Sequence, residues 1–316
     1  MRVLVTGATG FIGRRCVAML TRRGAEVHGV TCRTGSQPVR GREAAAFGGG
    51  RVENPSHITW HSADLHDPAQ RERLIADVAP THLLHLAWYV EPKLFWHSPE
   101  NFRWVESTAG LMRAFVRTGA RAVLAGTSDE YDPAGGILSE DRTPAKPSSI
   151  YGACKRAAHM MASAIARQSG VALAWARLFA AYGPGEPSSK LVSKCAADLL
   201  QRRKVHIPAA TLVRDYVYVD DVAALLVALL ESDIEGAMNA GSGTPATIAE
   251  IAHGVADVVG GHELIIADQP GDEPPVIVAD MSRARTLLRW IPQVSLADGI
   301  RRTVEAVREP ERVLSH

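Results

Sequence analysis

A tyrosine and a lysine four residues apart, in Tyr151-Gly152-Ala153-Cys154-Lys155, are the side chains of this sequence best suited to move a proton. They fall in a helical stretch from Ile150 to Ala166, where a spacing of four brings both to one face. A free phenol, with a pKa of about 10, is a poor acid–base at neutral pH. A neighbouring ammonium favours the phenolate and predicts a lower value. Far upstream, Thr6-Gly7-Ala8-Thr9-Gly10-Phe11-Ile12-Gly13 spaces its glycines G-x-x-G-x-x-G. The apolar run Val3-Leu4-Val5 precedes it and a helical pattern (Phe11, Ile12, Cys16, Val17, Leu20) follows. Such a strand, turn and helix start lets backbone N–H groups approach a diphosphate. Either feature alone also suits a purely structural role, a solvated helix face or a tight turn. Together they predict redox chemistry on a bound dinucleotide.

The elements that must position these residues alternate. Strand-like runs at Arg2–Thr6, Glu26–Thr31, Ile58–Ser62, His82–Leu86, Arg121–Ala125 and Ala172–Arg177 are separated by helical patterns, which predicts an α/β fold with a doubly wound parallel sheet. Asp67-Pro68 and Ser98-Pro99 read as helix caps followed by proline in the first helical position, and Thr247-Ile248-Ala249-Glu250 as a capping box. Residues 34–56, with Gly48-Gly49-Gly50, read as a long mobile loop after the second strand. Departures from the rhythm after Tyr182-Gly183-Pro184-Gly185 and after Asn239 divide the chain in two. Residues 1–177 and 211–236 are expected to bind the dinucleotide, and residues 178–210 and 237–316 to form a smaller α/β substrate domain.

With 35 Lys and Arg against 34 Asp and Glu, the 316-residue chain has no global field to hold nucleic acid or an anionic membrane. Arg22-Arg23 and Arg202-Arg203-Lys204 read as solvated helix ends. Cys16, Cys32, Cys154 and Cys195 are scattered without a C-x-x-C pair, which argues against a zinc site or a disulfide framework and suits a reducing cytoplasm. His57 and His61 share a strand face but lack a third ligand, so no metal site is expected. The longest apolar run, Val222 to Leu230, is too short to span a bilayer, and no signal segment opens the chain.

Taken with these motifs, the chain resembles the short-chain dehydrogenase/reductases, specifically the extended branch of NAD-dependent epimerase/dehydratases that modify nucleotide sugars. The resemblance implies a Rossmann domain in which Thr6, Gly7, Thr9, Gly10, Phe11, Ile12 and Gly13 hold the dinucleotide. It implies adenine contacts at Asp64 and Leu65, and cofactor contacts at Leu86 and Ala87 in the His85-Leu86-Ala87 element and at Tyr151 and Lys155. Ala125-Gly126-Thr127-Ser128-Asp129-Glu130-Tyr131 matches the segment with the catalytic Ser or Thr, which assigns that role to Thr127. Asp129 takes the slot of a dehydratase Glu, one methylene short, and Ser128 the slot of its general acid. Arg177-Leu178-Phe179 with Tyr182-Gly183-Pro184-Gly185, and Arg214-Asp215 with Val219 and Asp221, match two further motifs, although Ala180 replaces a substrate-contacting Asn. Asn239-Ala240-Gly241-Ser242-Gly243 and Trp290-Ile291-Pro292 complete the likeness. The implied substrate side comprises Trp88, Thr127, Ser128, Asp129, Phe179, Lys190 and Arg214, with Arg214 approaching a nucleotide diphosphate.

The second strand ends in Thr31-Cys32-Arg33 instead of an acid that would bind ribose hydroxyls. A guanidinium at Arg33 suits the extra phosphate of NADP, with NAD as the alternative cofactor and a solvated loop charge as the alternative role. A cofactor exchanged at each turnover points to a reductase of a nucleotide-activated 4-keto-6-deoxy sugar, with a redox-neutral 4,6-dehydratase or 4-epimerase as the alternative and a non-catalytic NADP sensor ranked last. The aromatic run Trp88 to His97 suits either stacking on sugar or nicotinamide, or packing of its own loop. The family also implies a homodimer through the helices near 99–118 and 150–168, whose Ala157, Ala158, Ala162 and Ala166 equally suit packing within one chain.

Overall fold

The structure is a computed structural model that describes residues 1–31, 58–132, 134–267 and 275–309. Its first half runs β1 (Arg2–Thr6), α1 (Gly13–Arg22), β2 (Glu26–Thr31), β3 (Ile58–Ser62), α2 (Pro68–Val78), β4 (His82–His85), α3 (Glu100–Phe115), β5 (Arg121–Thr127), β6 (Gly136–Leu138) and α4 (Ile150–Ser169). It continues with β7 (Ala172–Leu178), β8 (Ala180–Tyr182), α5 (Leu191–Leu200), β9 (Val205–Ile207), β10 (Val213–Tyr218) and α6 (Val219–Leu230). The last part holds β11 (Gly236–Ala240), β12 (Pro245–Thr247), α7 (Ile248–Val259), β13 (Ile265–Ala267), β14 (Val276–Ala279), α8 (Ser282–Leu288) and α9 (Leu296–Arg308).

Among the described residues, seven strands form a parallel sheet in the order β11-β7-β5-β4-β1-β2-β3. Successive side chains of a strand point to opposite faces, so a sheet covered on both sides needs apolar residues at every position. The sequence meets that need. Val3 and Val5 of β1, Val123 of β5 and Ala174 and Ala176 of β7 join a core with Cys16 and Leu20 of α1 and Val222, Leu226 and Leu229 of α6. Leu4, Leu124, Leu173 and Trp175, from the same strands, join a second core with Ile75 of α2, Met112 and Phe115 of α3 and Ala158 and Ala162 of α4. The chain order reverses between β1 and β4. This is the crevice where open α/β sheets bind ligands, at the carboxyl ends of the strands.

A second sheet in the order β12-β10-β14-β6, with β8 also on β10, lies beside a core built from α5, α7 and α9. Asp215 of β10 is its hub. The 1% exposed carboxylate accepts from Ser242 N and Oγ (2.7 Å each), Gly243 N (2.8 Å) and Ala279 N (3.1 Å).

The expected strands are all present, with β4 stopping at His85 and β5 and β7 running on to Thr127 and Leu178. Asp67 Oδ1 caps α2 by accepting from Ala69 N (2.8 Å), and Thr247 and Glu250 form the reciprocal box on α7. At α3, Ser98 Oγ accepts from Glu100 N (3.2 Å), and the helix begins at Glu100, one residue beyond the expected first position. Three strands cross the domain limits read from the sequence. β11 completes the large sheet, whereas β6 and β10 belong to the small one. The weakly apolar Gly-Ala-Met-Asn-Ala of β11 hides a strand whose burial comes from its neighbour β7. The loop expected at 34–56, together with Cys32 and Arg33, lies outside the described residues. No described helix is long and apolar enough to cross a membrane.

Candidate active site

The end of β1 is shaped by close backbone approach. Gly7 adopts φ +67°, and a Cβ there would lie 2.9 Å from Ala87 N, across the crevice at the end of β4. A Cβ at Gly13 would collide with the Gly7 carbonyl. Gly10 N donates to Gly7 O (3.0 Å), closing the turn, and α1 starts behind Ile12 with no side-chain cap on its N–H groups. A bare glycine cradle at an uncapped helix N-terminus fits the diphosphate of a dinucleotide. Thr6 is fully buried, its Oγ1 2.7 Å from His85 Nδ1, while His85 Nε2 lies 3.1 Å from Thr108 Oγ1. Burial, helped by the Lys155 charge, pushes His85 down to about 3, so this imidazole is a neutral strut between β1, β4 and α3. Phe11 lies under the Arg14 and Arg15 guanidiniums (5.8 and 5.3 Å). These arginines donate to Pro184 O and Gly185 O, tying α1 to the loop that leads into the second sheet. Thr9 is exposed, and Asp64 Oδ1 accepts from His66 N (2.8 Å) beside the buried Leu65.

Thr127, Tyr151 and Lys155 are all buried and come together at the end of β5 and the start of α4. Ser149 caps α4, its Oγ accepting from Gly152 N (3.0 Å), which fixes the first turn that carries Tyr151. Gly152 is needed there because a Cβ would strike the Asp129 carbonyl. Lys155 Nζ donates to Ala125 O (2.8 Å). Burial pushes its pKa down to about 7, opposed by the Glu130 charge. The phenol of Tyr151 departs from expectation. Burial, reinforced by Asp129, pushes its pKa up, and a hydrogen bond with Thr127 only partly offsets this. Desolvation of the phenolate dominates, and the lowering expected from Lys155 does not appear.

Two adjacent carboxyls beyond Thr127 are shifted in opposite directions. Thr127 Oγ1 donates to Asp129 Oδ2 (2.8 Å), and burial pushes the Asp129 carboxyl up, with Lys190 and Arg214 pulling the other way. Glu130, fully buried, accepts from Thr127 N (2.9 Å), Trp175 Nε1 (2.8 Å) and Arg177 Nε (3.3 Å), with His159 Nδ1 at 3.7 Å. Burial alone would raise its pKa, but His159, Arg177, Trp175 and the Thr127 N–H together hold it low. Gly126 leaves room for this network, since a Cβ would strike Trp175 Nε1 and Glu130 Oε1. Glu130 was not singled out from sequence. Its signal was the T-x-x-E spacing from Thr127, a capping-box pattern that closes a short 3-10 turn here.

The aromatic run packs on Tyr151 and Lys155. Trp88 lies with its ring 3.9 Å from Lys155 Nζ, and its Nε1 donates to Asn101 Oδ1 (2.8 Å). Phe95 and Trp96 meet the Tyr151 ring edge-on, and Tyr151 N donates to Trp96 O (3.1 Å). Of the residues expected to meet substrate, Ser128 and Arg214 are partly exposed and Lys190 is exposed at the start of α5, with the Lys190 and Arg214 charges reaching Asp129. Phe179 differs from expectation. It is buried in the core that includes Val217 and Ala240, because its backbone N–H pairs with Ala240 O (3.1 Å) and directs the ring inward. Leu86 and Ala87 border the crevice, and Ala87 N donates to Thr6 Oγ1 (3.3 Å). His57 lies outside the described residues, and His61 Nε2 is 2.9 Å from His28 Nδ1. Among the described residues, no group of three or more His, Cys, Asp or Glu converges to hold a metal.

Comparison with known proteins agrees with this arrangement. UDP-glucuronic acid decarboxylase 1 of Xenopus tropicalis is 28% identical over 320 residues, covering 98% of this chain and 72% of that protein. Among solved structures, UDP-glucuronic acid 4-epimerase from Bacillus cereus, in complex with UDP-glucuronic acid and NAD, superposes with a TM-score of 0.84 at 26% identity, covering 98% of this chain and 100% of the other. The UDP-glucose 4-epimerase of Thermus thermophilus, in complex with NAD, gives a TM-score of 0.81 at 29% identity, covering 98% and 99%. The sequence profile of the NAD dependent epimerase/dehydratase family matches residues 3–241, from β1 to the end of β11. The chain belongs to the NAD dependent epimerase/dehydratase family.

Proposed function

We propose that this chain transforms a nucleotide-diphosphate sugar without net oxidation or reduction, as an NAD-dependent epimerase or dehydratase-type enzyme. The observation that carries this is Asp129, a carboxyl of raised proton affinity bonded to the Thr127 hydroxyl beside Tyr151. A simple ketoreductase needs only Thr127, Tyr151 and Lys155. A half-buried acid–base next to them suits proton transfer at the carbon beside a transient ketone. The decarboxylase and epimerases to which the chain is similar support the same direction. When bound, the dinucleotide supplies a hydride acceptor and donor and a positively charged ring. Tyr151 would accept the proton of the sugar hydroxyl at position 4 when that carbon is oxidised, and would return it when the carbon is reduced again. Thr127 orients that oxygen. Asp129 removes and restores a proton at the adjacent carbon, while Lys190 and Arg214 face the diphosphate.

A second reading, reduction of a 4-keto-6-deoxy sugar nucleotide with NADP, is favoured by the Tyr151 phenol, which burial keeps protonated and ready to donate, and by Thr31 at the end of β2 where an acid would select NAD. Cofactor extracted from the purified protein, and turnover of UDP-glucuronic acid or UDP-glucose in heavy water, distinguish the two. Bound NAD and turnover without lasting change in nicotinamide absorbance are expected, with deuterium entering beside position 4 if Asp129 acts at the adjacent carbon and not in a simple 4-epimerisation. Stoichiometric NADPH consumption with a 4-keto-6-deoxy sugar nucleotide would establish the reductase instead. For assembly, α3 and α4 pack together and expose Phe102 (56%) and Met160 (59%), which supports a homodimer through these helices, testable by sedimentation.

A further inference from the structure

We propose that Trp88 is a positioning residue that keeps Lys155 a cation, with its indole face acting as the ammonium's second partner. Lys155 is 4% exposed, and the carbonyl of Ala125 is the hydrogen-bond acceptor of its Nζ (2.8 Å). The Trp88 ring covers the same Nζ at 3.9 Å. An ammonium over an indole is attracted by the negative face of the ring, and the attraction grows when water is excluded. The ring is held in place from behind. Its Nε1 donates to Asn101 Oδ1 (2.8 Å), and Asn101, itself fully buried, donates from Nδ2 to Phe95 O (2.6 Å) and Ser98 O (2.9 Å). Trp104 of α3 stacks on Trp88 with centroids 6.0 Å apart, and His66 meets Trp104 edge-on at 4.7 Å.

The titratable groups around Lys155 leave a task for this ring. Glu130, from the turn after β5, favours the ammonium, but its carboxylate is shared among Arg177, Trp175 and the Thr127 N–H. His85 of β4 is neutral, Tyr151 lies one turn earlier on α4, Asp129 bonds Thr127, and His159 sits beside Glu130. Burial works against the ammonium and brings Lys155 to about 7, where a modest added attraction decides its state at neutral pH. The Trp88 ring, for which either ligand stacking or loop packing was expected, covers the lysine in the structure.

The importance of a cationic Lys155 rests on the redox reading above, so the test separates the two. In the full-length protein without cofactor, the titration of Lys155 is followed by carbon-13 NMR of labelled lysine side chains, assigned with Lys155→Arg. Trp88→Leu is expected to lower the midpoint by about one pH unit, and Trp88→Phe to lower it by clearly less. Fluorinated tryptophans placed at position 88 preserve shape while weakening the face, and should lower it stepwise even if Trp88→Leu fails to fold. An unmoved midpoint across the fluorinated series, or an equal fall for Trp88→Phe and Trp88→Leu, would overturn the proposal. The alkaline limb of the kcat profile, where Lys155 loses its proton, should move down in parallel. A moved titration in a protein inactive on nucleotide sugars would uphold Trp88 and reject the proposed function.

Discussion

The ends of β1 and β5 lie in one sheet and face one crevice, yet they are built by opposite means. At β1 the work is done by backbone. Gly7, Gly10 and Gly13 remove side chains so that the turn, the start of α1 and the end of β4 can close on each other. At β5 it is done by side chains, as the buried Thr127, Glu130, Trp175 and Arg177 meet in one network, with the half-buried Asp129 at its edge. A site shaped by absent atoms tolerates no addition, and a site shaped by a charge network tolerates no removal.

Removing the hub of the β5 network is the harshest break. Glu130→Ala leaves Arg177 as a buried charge without its carboxylate, and should cost about 3–5 kcal/mol in urea unfolding. A loss below about 1 kcal/mol would mean the network is not structural. Tyr151→Phe should lower turnover by about 10²–10⁴-fold while leaving the unfolding midpoint nearly unchanged, a split visible by pairing activity with thermal melts. On the β1 side, Gly13→Ala should cost about 1–3 kcal/mol and abolish dinucleotide binding by titration calorimetry, since the added carbon meets the Gly7 carbonyl. Tight binding by this variant would contradict a cradle fixed by close approach.

The smallest effect concerns the two neighbouring carboxyls. Glu130, held low in the fold, stabilises fully above its ordinary value of about 4.3, and the contribution is lost as pH falls through its lower folded value. Asp129, held high, works in reverse. Its contribution is full below about 3.9 and disappears as pH rises through its higher folded value. Asp129→Asn should therefore raise stability slightly near neutrality relative to the parent and steepen the acid-side fall left by Glu130. Unfolding curves between pH 3 and 7 measure both.

This contrast also explains what could be read from the chain. β1, β4, β5 and β7 are legible because a strand buried on both faces must be an unbroken apolar run, and the glycine turn because its spacing is local. Tyr151 and Lys155 are legible because one helix carries both. Glu130 remained without a role because its partners Trp175 and Arg177 arrive from β7, which the sheet alone places beside β5. Trp88 suited ligand stacking and loop packing equally, because nothing in its own segment shows that Asn101 holds its ring edge or that Lys155 lies against its face. Phe179 looked available until its pairing with Ala240 turned it into the core.

The carboxylate hub at Asp215 has a consequence for the order in which the chain can fold. Its donors come from Ser242, Gly243 and Ala279, and β14, the strand between β10 and β6, follows every strand of the large sheet along the chain. Until Val276–Ala279 emerges, β6 has no strand to join and Asp215 lacks one of its donors. Contacts of such long sequence separation form late, after loop closure has been achieved. The alternating strands and helices of the large sheet, by contrast, join mostly near neighbours. The second sheet therefore closes only when β14 joins β10 and β6, after every strand of the large sheet has a partner available, and α9 packs on that half of the molecule later still along the chain.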